Sequence, residues 1–181
     1  MKKSTKNQLT LIVILSLMSA LSIVLGKYLA FNFGSVLRFS LENLPIIFSG
    51  LAFGPLAGAA VGLVADLVGC LLVGYEINPL VTLGAVVIGL SAGFCRIVMT
   101  RFKSPLWLSV LVAELISHVL GSVVIKTVGL AVYYSMPFII LMLWRLLNYL
   151  IIGVIEGALI FALLKNPAIG KEINSINKRG G

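Results

Sequence analysis

The chain has 181 residues, of which 60% are hydrophobic and 11% charged, and its mean hydropathy is +1.12. Soluble domains are about 45–50% apolar and about 25% charged, so an ordinary soluble enzyme is excluded. The abundance of Leu, Ile, Val and Phe excludes a disordered chain as well. The formal net charge of +8 reads first as topology rather than as nucleic-acid binding, because basic residues collect on the cytoplasmic side of membrane proteins. Cys70 and Cys95 both lie in apolar runs and argue for neither a disulfide framework nor a zinc site.

The first apolar run, Leu9–Ala30, follows Lys2, Lys3 and Lys6. It exceeds a signal-peptide core and carries no small-x-small cleavage site, so it is read as span one. Phe31–Glu42 is then an aromatic and polar loop with Asn32, Arg38 and Glu42. Asn43–Gly74 would reach about 48 Å as one helix, against a bilayer core of about 30 Å. Gly54-Pro55 interrupts it, and such a pair is a turn signal. A hairpin is expected there, with the short span Asn43–Phe53 sheltered by its neighbours. Pro79–Met99, Pro105–Gly129 and Pro137–Leu164 complete six spans.

Charge placement supports this count. With the N-terminus inside, the inner segments carry Lys2, Lys3, Lys6, Arg101, Lys103, Lys165, Lys171, Lys178 and Arg179, and the outer loops only Lys27 and Arg38. Five spans would put the C-terminal cluster outside, against the positive-inside bias. The expected fold is an all-α membrane protein, six transmembrane helices in a compact bundle with both termini cytoplasmic. Residues 1–165 are expected to form one six-helix transmembrane domain and 166–181 a basic cytoplasmic tail, in part disordered.

Gly50, Gly54, Gly58 and Gly62 recur every four residues, and Gly89/Gly93 and Gly153/Gly157 repeat the spacing. These are read as packing faces, since small residues let helix backbones approach closely in lipid. On span one, Ser16, Ser19, Ala20 and Gly26 form a small-residue side. Ser16 and Ala20, four apart, could seat a helix of this chain or of a partner subunit.

Charges within spans are functional candidates by default. Asp66 lies in mid-span three, and Arg96 near the inner surface, where it reads as a topology anchor. Glu114 and His118 share one face of span five, with Lys126 about 18 Å from Glu114 along the axis. Trp144, Arg145 and Asn148 fall in the outer half of span six, and Glu156 returns to the azimuth of Arg145 deeper in the membrane. With Arg38 and Asn78 on the outer loops, these groups make an outward-facing set of donors in which Arg38, Lys126 and Arg145 meet few acids. Phe31, Phe33, Tyr75, Tyr133, Tyr134 and Trp144 crowd the same end. Cationic donors with aromatic walls suit a flat, anionic molecule; the tyrosines equally suit an interfacial aromatic belt.

Enzyme signatures are missing from the sequence. Glu114-x-x-x-His118 offers two metal ligands and His118 is the sole histidine, which excludes a His-rich catalytic metal centre. There is no phosphate-binding loop and no nucleophile elbow. ATP-driven transport would need another chain for hydrolysis; ion-coupled transport would use Asp66, Glu114 or His118 as relay.

Ser35-Val-Leu-Arg-Phe-Ser-Leu-Glu-Asn-Leu-Pro-Ile-Ile47, then Ser49-Gly-Leu-Ala-Phe-Gly-Pro-Leu-Ala-Gly58, Ala65-Asp-Leu-Val-Gly69 and Asn78-Pro-Leu-Val-Thr-Leu-Gly84 resemble the S components of energy-coupling factor (ECF) vitamin transporters, the folate branch most closely. The resemblance is specific over Leu9–Gly93 and looser beyond, where it rests on length and hydropathy. It implies a vitamin-capture subunit of an ABC-type importer in a bacterial-type plasma membrane, the first outer loop acting as a lid. The implied partners are a transmembrane coupling subunit and two cytoplasmic ATPases, with no nucleic acid and no cofactor. In that family an Ala-x-x-x-Ala motif on span one docks on the coupling subunit; Ser16 and Ala20 match its spacing, with Ser for Ala. Arg38, Asn78, His118, Lys126, Trp144, Arg145 and Asn148 are the candidate ligand contacts from the residues themselves. Folate is favoured; riboflavin, pantothenate or a thiamine-like vitamin, or an ion-coupled carrier, are the alternatives.

Overall fold

The computed structural model describes residues 3–33, 37–135 and 137–177. Helix α1 (Lys3–Ile23) runs into a π-helical turn, Val24–Tyr28, and then a small antiparallel hairpin, β1 (Phe31–Phe33) and β2 (Leu37–Phe39). Six helices complete the bundle: α2 (Asn43–Phe53), α3 (Pro55–Val73), α4 (Pro79–Arg101), α5 (Leu106–Ser117), α6 (Lys126–Tyr134) and α7 (Phe138–Lys165). A π-helical segment, His118–Ile125, joins α5 and α6 into one continuous rod, and α8 (Pro167–Asn177) closes the described chain. Apart from this short hairpin the described chain is helical, as expected.

Among the described residues, five helical stretches are long and apolar enough to cross a membrane: Gln8–Tyr28, Pro55–Val73, Pro79–Arg101, Leu106–Tyr133 and Phe138–Lys165. Their outward faces are apolar, with Leu56 82% exposed. Large exposed apolar faces on a soluble surface would aggregate; against lipid they are the expected state. The sixth apolar helix, α2, has 11 residues and is about 16 Å long, roughly half a bilayer core. Ten of its residues, Asn43 through Ala52, are buried by neighbouring helices.

The break between α2 and α3 falls at Gly54-Pro55, as the sequence suggests. Gly54 has φ +100°, a region side chains disfavour, and Pro55 opens α3 at a position where its missing N–H costs nothing. The two helices fold back on one another and pack against α4, α3 antiparallel to it, with backbones in contact at the glycines. A methyl on Gly58 would lie 2.6 Å from the Gly89 carbonyl oxygen and 2.8 Å from the Gly50 Cα. A methyl on Gly62 would strike the Ala85 carbonyl, and one on Gly93 the backbone of Pro55. These glycines pack internally; Gly54 instead makes the turn and has no neighbour within 4 Å of an added methyl.

The bundle has two unlike ends. The hairpin end carries β1–β2, the 74–78 turn and the start of α7. The tail end carries the α4–α5 turn and α8. The tail is not an unstructured extension over Pro167–Asn177: Ile176 is buried, Ile169 and Ile173 pack on the core, and the Asn177 amide donates to the Ala52 carbonyl at 2.9 Å. Because α2 occupies only the tail-end half, the chain between β2 and Asn43 dips into the bundle from the hairpin end. That dip creates the site.

Candidate functional site

Glu42, the last residue of the dipping segment, meets Lys126 of α6: the Lys126 ammonium is 3.2 Å from Glu42 Oε1. Three features fix Glu42 there. Ser22 of α1 donates to its backbone carbonyl at 2.6 Å, its following residues start α2, and Gly26 leaves it room. A methyl on Gly26 would sit 2.8 Å from both Glu42 Cβ and Oε2. Around this pair Ser22, Ile23, Lys27, Ile46, Ala65, Asp66 and Ala85 line a cavity of about 20 Å³, room for about one water. Asp66 accepts from the Thr82 hydroxyl at 2.6 Å, while the Lys27 ammonium lies 5.4 Å from the Tyr75 ring centre and 3.9 Å from Cys70 Sγ.

Both π-helical segments border this region. Gly26 and Lys27 belong to the first, and Lys126 follows the second. A π turn leaves carbonyls out of the regular ladder, and such turns gather at functional sites. The Ser122 carbonyl, inside the second, accepts from Arg145 Nε at 3.0 Å, and Arg145 Nη2 donates to the Tyr149 hydroxyl at 3.3 Å. Tyr149 in turn stacks on His118, centroids 4.7 Å apart and planes at 24°. His118 Nε2 lies 2.9 Å from Glu114 Oε2 and 3.0 Å from Glu156 Oε2. Glu156 ends the line by accepting from the Leu44 N–H at 3.0 Å, capping the positive end of α2 with a carboxylate from another helix. A line of polar side chains therefore runs from Arg145, in the hairpin-end half of α7, to the middle of the bundle.

The expected contacts fall in different places. Lys126 lines the cavity, but it is not one of three cations with few acids: Glu42 pairs with it. Arg145 sits one step deeper, and Asn148 is buried on the same helix. Asn78 spends its amide on structure, its oxygen accepting from the Leu80 and Val81 N–H groups and its nitrogen donating to the Gly129 carbonyl; it is a helix cap and a clamp between α4 and α6. His118 belongs to the deeper Glu114–Glu156 cluster. Trp144 is 41% exposed and does not line the cavity. Arg38 pairs with Asn32 through the β1–β2 backbone, and its side chain lies outside the described residues.

The sequence reading missed Glu42, Ser22 and Tyr149 as site residues. Glu42 was visible only as one acid in a polar loop, and its partner lies 84 residues away. On α1 the structure divides the small-residue side. Ser19 and Gly26 face the bundle, whereas Ser16 and Ala20 stand exposed, with the Ser16 hydroxyl turned back on the Ile12 carbonyl at 2.9 Å.

The fold and site define a helical membrane protein that holds a small charged cavity towards the end that carries the hairpin. The family model for the substrate-specific component of ECF transporters matches residues 10–167, and the chain belongs to that family. No curated protein matches it. Among solved structures, FolT bound with folic acid superposes with a TM-score of 0.68 at 24% identity, covering 88% of this chain and 94% of that one. The S component of a bacterial ECF transporter gives 0.70 at 19%, covering 91% and 99%. An S component for biotin from an ECF-type ABC transporter gives 0.69 at 15%, covering 92% and 95%. At these identities the likeness is one of fold.

Proposed function

We propose that the protein captures an anionic vitamin of the folate class at the hairpin end, which faces outward. Six membrane passes, with α2 as the short second one, then leave both termini cytoplasmic, in keeping with the basic residues at the tail end. The Lys126–Glu42 pair carries this reading. A buried ammonium is tolerated only when paired, and its partner here rides on the segment that joins the hairpin lid to α2. A ligand carboxylate that displaces Glu42 keeps Lys126 paired while the lid moves, so binding and opening are one exchange of anions. Arg145 and Asn148, just below, would meet the rest of the ligand, with Tyr149 offering an aromatic face; Arg38 on the lid completes the cationic set. The cavity is far below the several hundred Å³ of a vitamin-sized site, so the ligand-bound state requires the lid to withdraw.

Delivery follows from the family: the loaded subunit associates with a transmembrane coupling subunit and two ABC ATPases in the cell membrane. The exposed Ser16 and Ala20 side of α1, uncovered by the chain's own bundle, is the docking face. The test is identification of the small molecule released when the purified protein is denatured, with titration of folate, biotin, riboflavin, pantothenate and thiamine. A pterin, with folate binding below micromolar, is the expected result. A different vitamin moves the protein to another branch, and a chain that binds none of the five overturns the capture reading.

A further inference from the structure

A second constellation lies at the middle of the bundle, apart from the capture cavity. Glu114 and His118 come from consecutive turns of the fifth crossing, and Glu156 reaches them from α7; they are 4%, 4% and 0% exposed. One ligand atom from each lies within 4.8 Å of the others. The sequence offered two ligands on one helix; the fold adds the third.

We propose that Glu114, His118 and Glu156 bind a divalent first-row transition cation of the zinc class. Bonds of about 2.0–2.2 Å at tetrahedral to octahedral angles put neighbouring donors about 2.8–3.6 Å apart, and the separations at His118 Nε2 are 2.9 and 3.0 Å. Hydrogen bonding leaves the cluster incomplete. One ring nitrogen carries one proton, and it serves Glu156. Glu114 Oε2 competes for that same nitrogen at 2.9 Å, and the buried Glu114 carboxylate has no other partner among the described residues, nor has His118 Nδ1. Charge points the same way. Two carboxylates with an imidazolium leave a net negative charge in an apolar bundle, whereas two carboxylates, a neutral imidazole and a divalent cation sum to zero.

The surroundings fit a metal ion. The Leu44 N–H holds the outer oxygen of Glu156 and the Tyr149 ring holds the imidazole plane, contacts that orient ligands. One imidazole among oxygens selects zinc-class ions over magnesium or calcium. A groove of about 420 Å³ between α5 and α7, walled mostly by apolar side chains, reaches Glu114 and His118. The ion would pin α5, α7 and the start of α2 to one point, whichever vitamin the cavity above takes.

The test uses tag-free, full-length protein, stripped with chelator, loaded with zinc and desalted, with metal content, X-ray absorption and thermal unfolding as readouts. One zinc per chain is expected, with nitrogen and oxygen neighbours near 2.0–2.2 Å and a zinc-dependent rise in Tm. Glu114→Gln, which keeps the side chain's size and removes one carboxylate beside His118, should fold, lose the zinc and lose the Tm response; His118→Gln should behave likewise. Absence of bound zinc in the wild type overturns the proposal. So does zinc retained by both variants, or a sulfur neighbour near 2.3 Å that places the ion on cysteine.

Discussion

The α3–α4 seam and the α5–α7 seam carry the same four-residue glycine spacing and do opposite things with it. At the first, glycine faces backbone: a methyl on Gly89 would strike the Gly58 carbonyl, and the helices touch along their length. At the second, glycine faces side chains. A methyl on Gly153 would lie 3.5 Å from the His118 ring, and one on Gly157 3.5 Å from Glu114 Cγ, both ordinary contacts. The packing expectation thus holds for Gly58/Gly89 and is corrected for Gly153/Gly157, which floor a groove above an ionisable cluster. Small-residue spacing permits close approach; what stands opposite decides whether approach happens.

Substitutions can break this contrast. Gly89→Leu should have the largest effect: backbone cannot yield to a side chain, and overpacking costs about 1–3 kcal/mol even where neighbours relax. Loss of folded protein in detergent, read by size exclusion and thermal unfolding, is the expected outcome. A folded Gly89→Leu protein with wild-type Tm would show the seam to be loose. Ala20→Trp is next, on a face of α1 that no seam covers. Uptake in cells with the complete transporter should vanish while purified protein binds ligand normally; normal uptake removes the docking role.

Lys126→Met should lower ligand affinity about 10–100-fold, the worth of a lost charge-assisted hydrogen bond, whereas Glu42→Gln removes the competing anion and should raise affinity. Weaker binding by Glu42→Gln would refute the anion exchange. The smallest effect belongs to Gly157→Ala: the groove accepts a methyl, and alanine favours the helix by up to about 1 kcal/mol, so Tm should hold or rise slightly. A marked fall would mean that the α5–α7 seam is as tight as the α3–α4 one.

Much of the architecture was legible in the residues. The Gly54-Pro55 break and the bounds Asn43–Phe53 of α2 are where the sequence placed them, because a glycine-proline pair ends a helix locally whatever surrounds it. Span five runs past Gly129 to Tyr134, since nothing at Gly129 stops a helix that lipid favours. Helix α8 was hidden because its polar composition outweighs three isoleucines spaced for one face. Within the site, Lys126 and Arg145 stood out as intramembrane charges. Glu42 did not, since a loop acid has no periodicity to place it.

The sequence by itself determined that this chain lives in a bilayer, where the α2–α3 break falls, and which family its first half resembles; these follow from hydropathy, turn chemistry and spacing, all local along the chain. Tertiary structure alone decided which charges meet. Glu42 reaches Lys126 because α2 is too short to fill its half of the bundle. Glu156 reaches both His118 and the start of α2 because α7 crosses them at one depth. The π-helical segment rotates the face of span five after His118, so azimuths counted at 3.6 residues per turn no longer hold at Lys126. Depth, crossing and rotation belong to pairs of helices, and no single stretch of sequence encodes them.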